Sequence, residues 1–145
     1  MIERSLIETY CGRVAPSECD HLGHMNVQFY VARISDATAT INAAIGLTSN
    51  YIRARRQALA TVRQEISYLL ELKAGDLIAM HSGVLSAEGK KVWFLHRMTR
   101  VEDGKTVMTA RVLMVCLDLE RRTSVVLEKA ILARARALVV QEAAP

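Results

Sequence analysis

The sequence predicts an α+β domain in which one long central helix is wrapped by a curved antiparallel sheet of about five strands. Three features carry that expectation: a strand-like segment ahead of a single long helical pattern, four strand-like segments behind it, and turn signals short enough to join those four as a meander. At 145 residues the chain has the length of one ordinary domain, and residues 1–145 are expected to form a single unit.

Residues 6–14 are rich in β-branched and aromatic side chains and end before Ala15-Pro16-Ser17, as a first strand should. Over residues 27–45, Tyr30, Ile34, Ala37, Ile41, Ala44 and Ile45 recur at helical spacing, with Asn26 to cap the start and Gly46 to stop the end. The other faces carry Ala32, Thr38, Ala39, Thr40 and Ala43, small residues that a sheet can embrace closely, so the helix is expected to be mostly buried. Residues 47–57 read as a loop or short helix bearing Arg53, Arg55 and Arg56. Beyond them Val62, Ile66, Tyr68, Leu70 and Leu72 alternate with Thr61, Arg63, Glu65, Ser67 and Glu71, the period of a half-buried strand. Ala74-Gly75-Asp76 turns the chain into a strand over 77–86, and Glu88-Gly89-Lys90 makes a tight hairpin connection. Strands over 92–101 and 106–119, joined at Glu102-Asp103-Gly104, complete the meander; residues 112–115 are apolar on both faces, which implies burial on both sides. The tail from 128 to 141 places Ile131, Leu132, Ala135, Leu138 and Val139 at helical spacing, a short amphipathic helix for the sheet edge.

Composition narrows the function classes. The formal charge of +4 suits a phosphorylated ligand, yet no block of like charges marks a nucleic-acid tail. Cys11, Cys19 and Cys116 lack CxxC spacing, which argues against a disulfide framework or a thiol-rich zinc site and for reduced thiols. Met1-Ile2-Glu3-Arg4-Ser5 has no signal pattern and no apolar run reaches the ~18 residues of a membrane span, so a cytoplasmic protein without a membrane partner is expected.

The chemistry concentrates in Glu18-Cys19-Asp20-His21-Leu22-Gly23-His24-Met25-Asn26. Asp20 lies on a loop entering a helix N-terminus, where backbone N–H groups lack intrahelical acceptors and the dipole favours negative charge. A carboxylate beside such an oxyanion site suggests acyl transfer. Asp20, His21 and His24 are also the natural metal candidates, but without HExxH spacing no metal site is expected.

The run Cys19-Asp20-His21-Leu22-Gly23, leading through His24, Asn26 and Tyr30 into the helix, resembles the signature of hotdog-fold acyl-CoA thioesterases of the 4-hydroxybenzoyl-CoA thioesterase type. Glu65, Tyr68 and Gly75-Asp76 also sit as in that family. The Gly23-His24-Met25-Asn26 run and Phe94-Leu95-His96-Arg97-Met98 are similar to the branch associated with carnitine and betaine breakdown, whose substrates carry a trimethylammonium group. The resemblance implies hydrolysis of an acyl-CoA thioester with no separate cofactor, in a homodimer or homotetramer with a site at the interface. It makes Asp20 the catalytic carboxylate, as nucleophile or as general base, and makes the amides from Gly23 to Met25 the oxyanion holder. Glycine at 23 is expected to let the substrate approach the backbone closely. His24 either assists catalysis or satisfies local backbone groups. Asn26 is foremost a helix cap, and with Tyr30 and Glu65 it is placed among substrate contacts, Glu65 competing with a solvated or ion-paired role. Many relatives have Asp-x-Asp where this chain has Glu18. The CoA phosphates require cations, for which Arg55, Arg56 and Lys91 are candidates together with Arg53, Lys90, Arg121 and Arg122. Two other classes fit the same residues: a hotdog hydratase or dehydratase acting on acyl-CoA, and a non-catalytic acyl-CoA-binding module.

Overall fold

The structure, a computed structural model, describes residues 5–141. Strand β1 (Ile7–Arg13) leads through one 3-10 turn (Pro16–Glu18) to helix α1 (Val27–Ala44), and a short helix α2 (Ser49–Arg55) follows. Strands β2 (Gln57–Tyr68), β3 (Leu77–Glu88), β4 (Lys91–Arg100) and β5 (Thr106–Asp118) come next, then a two-residue strand β6 (Thr123–Ser124) and helix α3 (Lys129–Ala137). The strands form one antiparallel sheet in the order β1-β3-β4-β5-β2, with β6 pairing β5.

Helix α1 starts where Asn26 caps it and packs Tyr30, Ile34, Ala37, Thr38 and Ile41 against the sheet. Val84, Phe94, Met98, Ala110, Val112 and Met114 meet that stripe in a single core cluster. One polar chain crosses this core. Thr9 Oγ1 lies 2.7 Å from Ser82 Oγ, Ser82 Oγ lies 2.7 Å from His96 Nδ1, and His96 Nε2 lies 3.4 Å from Thr38 Oγ1. The Thr38 hydroxyl donates to the Ile34 carbonyl at 2.7 Å, which leaves its oxygen to accept from His96 Nε2–H. β1, β3, β4 and α1 are thereby tied together by a neutral imidazole.

Three burial expectations need correction. The helix is not mostly buried: Ala32, Ser35, Asp36, Ala39, Thr40 and Ala43 face outward, because the sheet covers one side of α1 only. Nor is β2 a half-buried strand. It begins at Gln57 and ends at Tyr68, so residues 69–72 lie outside it. A bulge at Val62, between Thr61 and Arg63, breaks the alternation, and Val62 and, past it, Tyr68, Leu69 and Leu70 are all exposed. The physical reason is position: β2 is the last strand of the sheet, and its outer edge has no partner among the described residues. In β5, Val112 and Met114 are buried while Leu113 and Val115 are only half-buried, since no second layer covers the sheet behind them.

Candidate active site

The loop ahead of α1 is a miniature hairpin. Cys19 and Met25 form a β-bridge, Asp20 N–H donates to the His24 carbonyl at 3.1 Å, and Asn26 N–H donates to the Glu18 carbonyl at 2.8 Å. Its tip turns at Gly23, whose N–H returns to the Asp20 carbonyl at 3.0 Å with φ of +82°. The base is fixed by Glu18, which accepts from Ala15 N–H at 2.8 Å and pairs with Arg33 of α1 at 2.7 Å. Arg33 in turn lies 5.4 Å from the centre of the Tyr10 ring. Burial alone would raise the Glu18 carboxyl, but the Ala15 amide and the Arg33 guanidinium outweigh it and hold the group below its ordinary value. The acidic residue that stands in for the first Asp of the family pattern is thus half of an ion pair between loop and helix, a contact across 15 positions with no local signature.

Asp20 is oriented at both oxygens. Asn26 Nδ2 donates to Oδ2 at 2.8 Å, and Leu22 N–H donates to Oδ1 at 2.9 Å. The Asn26 amide first, then the Leu22 amide, lower the Asp20 carboxyl from its usual value and keep it ionised, with His24 and His21 adding to the effect. Asn26 therefore does more than cap: its Oδ1 accepts from Gln28 N–H at 3.1 Å while its amide nitrogen holds the carboxylate.

The oxyanion expectation narrows to fewer amides. Gly23 N–H closes the hairpin turn and Met25 N–H donates to the Leu72 carbonyl at 2.7 Å, so neither is free for a substrate. Among the described residues the His21, His24 and Val27 amides are the ones from Glu18 to Gln28 left without an acceptor, and of the three amides expected to hold the oxyanion only that of His24 stays open. The reason for glycine also changes: nothing lies within 4 Å of a Cβ added at Gly23, and it is the positive φ that selects this residue. His24 Nδ1 lies 3.2 Å from the Met25 carbonyl, the local backbone contact weighed for it, while its ring also borders a cavity.

That cavity, of about 360 Å³, opens beside the hairpin between the start of α1 and the chain leaving β2. Its walls are mostly apolar, with Met25, Val27, Tyr30, Tyr68 and Leu70 alongside His24 and Glu71. Asp20, His24, Met25, Asn26 and Tyr30 are thus brought to one end of the fold. Glu65 is not with them. It lies midway along β2, ion-paired to Arg63 at 2.9 Å, and lines a different cavity with Trp93 and Arg111. Arg55, Arg56 and Lys91 gather at the opposite end: Gln57 pairs with Asp118 and Lys91 with Val115 there, whereas Tyr68 pairs with Met108 near the hairpin. The 18-residue helix between the two ends is about 27 Å long. Within one chain Arg55 instead pairs with Glu128 at 3.1 Å.

Residues 14–135 match the thioesterase-like superfamily. The chain belongs to that family. An "L-carnitine dehydrogenase/betainyl-CoA thioesterase" from Agrobacterium fabrum is 31% identical over 126 residues, covering 87% of this chain; the chain spans about a quarter, 26%, of that longer protein. A "betainyl-CoA thioesterase" from Pseudomonas aeruginosa is 27% identical over 133 residues, covering 92% of this chain and 84% of its own length. Among solved structures, a Staphylococcus aureus protein in complex with CoA superposes with a TM-score of 0.86 at 23% identity, covering 100% of this chain and 92% of its own. A 1,4-dihydroxy-2-naphthoyl-CoA thioesterase from Synechocystis superposes at 0.76 and 18% identity, covering 89% of this chain and 95% of its own. The hotdog fold implied by the residue pattern of this thioesterase-like chain is the fold observed. No helix among the described residues is long and apolar enough to cross a membrane.

Proposed function

We propose that this thioesterase-like chain hydrolyses an acyl-CoA thioester at the Asp20 end of α1. The observation that carries the reading is a carboxylate held ionised and aimed by Asn26 and Leu22, next to open amides and an apolar cavity large enough for a small acyl group. The names of the two bacterial relatives and the CoA bound to the structural neighbour support the substrate class.

In this scheme Asp20 takes a proton from a water that adds to the carbonyl carbon. The carbonyl π electrons move onto oxygen, where the His24 amide stabilises the developing charge. Collapse of that intermediate breaks the carbon–sulfur bond, and the CoA thiolate leaves with the proton that Asp20 had taken. Both Asp20 oxygens already accept hydrogen bonds, which favours this base role over direct attack on the carbonyl. CoA is part of the substrate and no separate cofactor enters. A second copy completes the site: the unpaired edge of β2, with Val62, Tyr68, Leu69 and Leu70 exposed along it, is the natural surface for a two-fold strand pairing.

The test is thiol release from a panel of acyl-CoAs, including betainyl, aromatic and short straight-chain esters, by wild type and Asp20→Asn. Hydrolysis with a loss of about 100-fold or more in the variant is expected, in the range that general base catalysis supplies. A variant as fast as wild type would refute the role of Asp20. Binding of the esters without thiol release would favour a hydratase or a binding module instead.

A further inference from the structure

The two arms of the Asp20 hairpin have different anchors. The arm that ends in Met25 is held by the core: the Met25 side chain is fully buried and its N–H donates to the Leu72 carbonyl at 2.7 Å. The arm that carries Asp20 reaches the body of the fold through Glu18, with Cys19 only partly buried beside it. Glu18 Oε1 and Oε2 accept from Arg33 Nη2 at 2.8 and 2.7 Å, and Oε1 also accepts from Ala15 N–H at 2.8 Å.

As a stability device this pair is poorly built. Only 11% of the Arg33 side chain and 12% of the Glu18 side chain are exposed, so both ions have given up most of their hydration, a loss that mutual attraction does little more than offset. A single guanidinium nitrogen makes both bonds to the carboxylate, and the buried Nε–H has no acceptor among the described residues. An orphaned buried donor is a further cost. Apolar side chains of similar volume would serve the core as well. What they would not supply is a fixed relation between hairpin and helix.

That relation is a closed ring. Asn26 N–H donates to the Glu18 carbonyl at 2.8 Å, and Asn26 caps α1. About two turns and ~10 Å further along the helix, on the same face, Arg33 returns to the Glu18 side chain. Asn26, whose amide holds Asp20 Oδ2, is thus one corner of the ring, and Asp20 follows closely on another corner, Glu18. The ring sets the carboxylate against the open His24 and Val27 amides at the helix start. We infer that Arg33, acting through Glu18, is a positioning residue that aims the Asp20 carboxylate for proton abstraction from the attacking water. The inference rests on the hydrolase reading and adds to it a residue that bonds neither Asp20 nor lines the cavity beside it.

Removing both charges together tests the inference. Arg33→Met alone would strand Glu18 as a buried, unpaired ion and endanger the fold. Glu18→Gln combined with Arg33→Met leaves no buried charge and keeps an oxygen to accept from Ala15 N–H. The two lost charges are opposite, and the groups that act on Asp20, the Asn26 and Leu22 amides with His24 and His21, are all retained. The double variant is expected to keep a cooperative urea transition. Its kcat for thiol release should fall roughly 10- to 100-fold, the scale of a displacement of about 1 Å, with KM little changed. The Asp20 carboxyl, followed by carbon NMR, should titrate higher than in wild type as the Asn26 bond loosens, and the acid limb of the kcat profile should move with it. Arg33→Lys keeps the charge on a shorter stem and should fall between the two. A folded double variant with wild-type kcat, or one that loses kcat while the Asp20 titration stays in place, would overturn the inference and leave the hydrolase reading standing. If the double variant does not fold, Arg33→Lys decides: wild-type kcat and titration there overturn the inference, and a partial loss of kcat with a raised titration supports it. Wild type that releases no thiol from any ester overturns the hydrolase reading and this role with it.

Discussion

His96 makes the stability of this fold sensitive to acid in a calculable way. Its imidazole is fully buried, and burial pushes it down from 6.5 to about 4. The hydrogen bonds fit the neutral ring: Ser82 donates to Nδ1, and Nε2–H points to Thr38. A depressed histidine binds its proton more tightly in the unfolded chain, so its contribution to stability is fully present above pH 6.5 and is lost as pH falls toward 4. Integrating that linkage from pH 7 to pH 5 gives a loss of about 2 kcal/mol, a large part of the ~5–15 kcal/mol that holds a domain together. The range stops above the ordinary carboxylate values, which keeps the acid groups out of the measurement. Urea unfolding at half-unit steps from pH 8 to 5 reads the effect as a falling midpoint at constant slope. His96→Gln, which retains polar atoms for Ser82 and Thr38, should be less stable at pH 7 and flatter across the same range. A wild-type midpoint that stays level from pH 7 to 5, or an imidazole that titrates near 6.5 by NMR in the folded protein, would refute the reasoning.

Asn26→Asp keeps the oxygen that caps α1 but replaces the amide that lowers the Asp20 carboxyl with a like charge, so the acid limb of the pH–rate profile should move up by about one unit or more while the fold is retained. A pH profile superposable on wild type would show that the Asn26 amide does not tune Asp20. Val62→Lys puts a charge on the exposed bulge of the β2 edge, where it should cost the single chain within about 0.5 kcal/mol but block edge pairing. Sedimentation should then report a monomer with little thiol-release activity, and an active monomer would sink the shared-site proposal.

The sequence carried the helix, the meander and the Asp20 loop because each is written locally: apolar residues at helical spacing, alternation between short turns, a cap residue at the right place. What it could not carry were relations set by distant chain. Glu18 reads as a stray acid until Arg33 and Tyr10 arrive from α1 and β1. Asn26 reads as a cap until the hairpin folds its amide back onto Asp20 six positions earlier. The alternation around Val62 was misleading for a different reason, since a bulge shifts the register and puts Leu59, Thr61 and Gln64 on the side facing α1. The amides of Gly23 and Met25 were assigned to a substrate because helix starts leave donors open in general, whereas here a turn and the Leu72 carbonyl had already claimed them.

The separation of the basic residues from Asp20 bears directly on how the site is assembled. Arg55 and Arg56, the cations expected for the CoA phosphates, lie beside the start of β2, and the Asp20 carboxylate lies beside its end, with about 27 Å of helix between. A two-fold antiparallel pairing of β2 edges reverses one strand against the other, so the start of each strand meets the end of its mate. Centred on the strand, such a pairing sets Gln57 of one copy opposite Tyr68 of the other and carries Arg56 and Arg55 toward Leu69 and Leu70, which line the cavity beside Asp20. The same pairing covers the apolar side chains left exposed along that edge. The proposed pairing would thus account with one geometric operation for an unpaired strand, an exposed apolar row and a set of basic residues far from Asp20, three features that have no common explanation in a single chain.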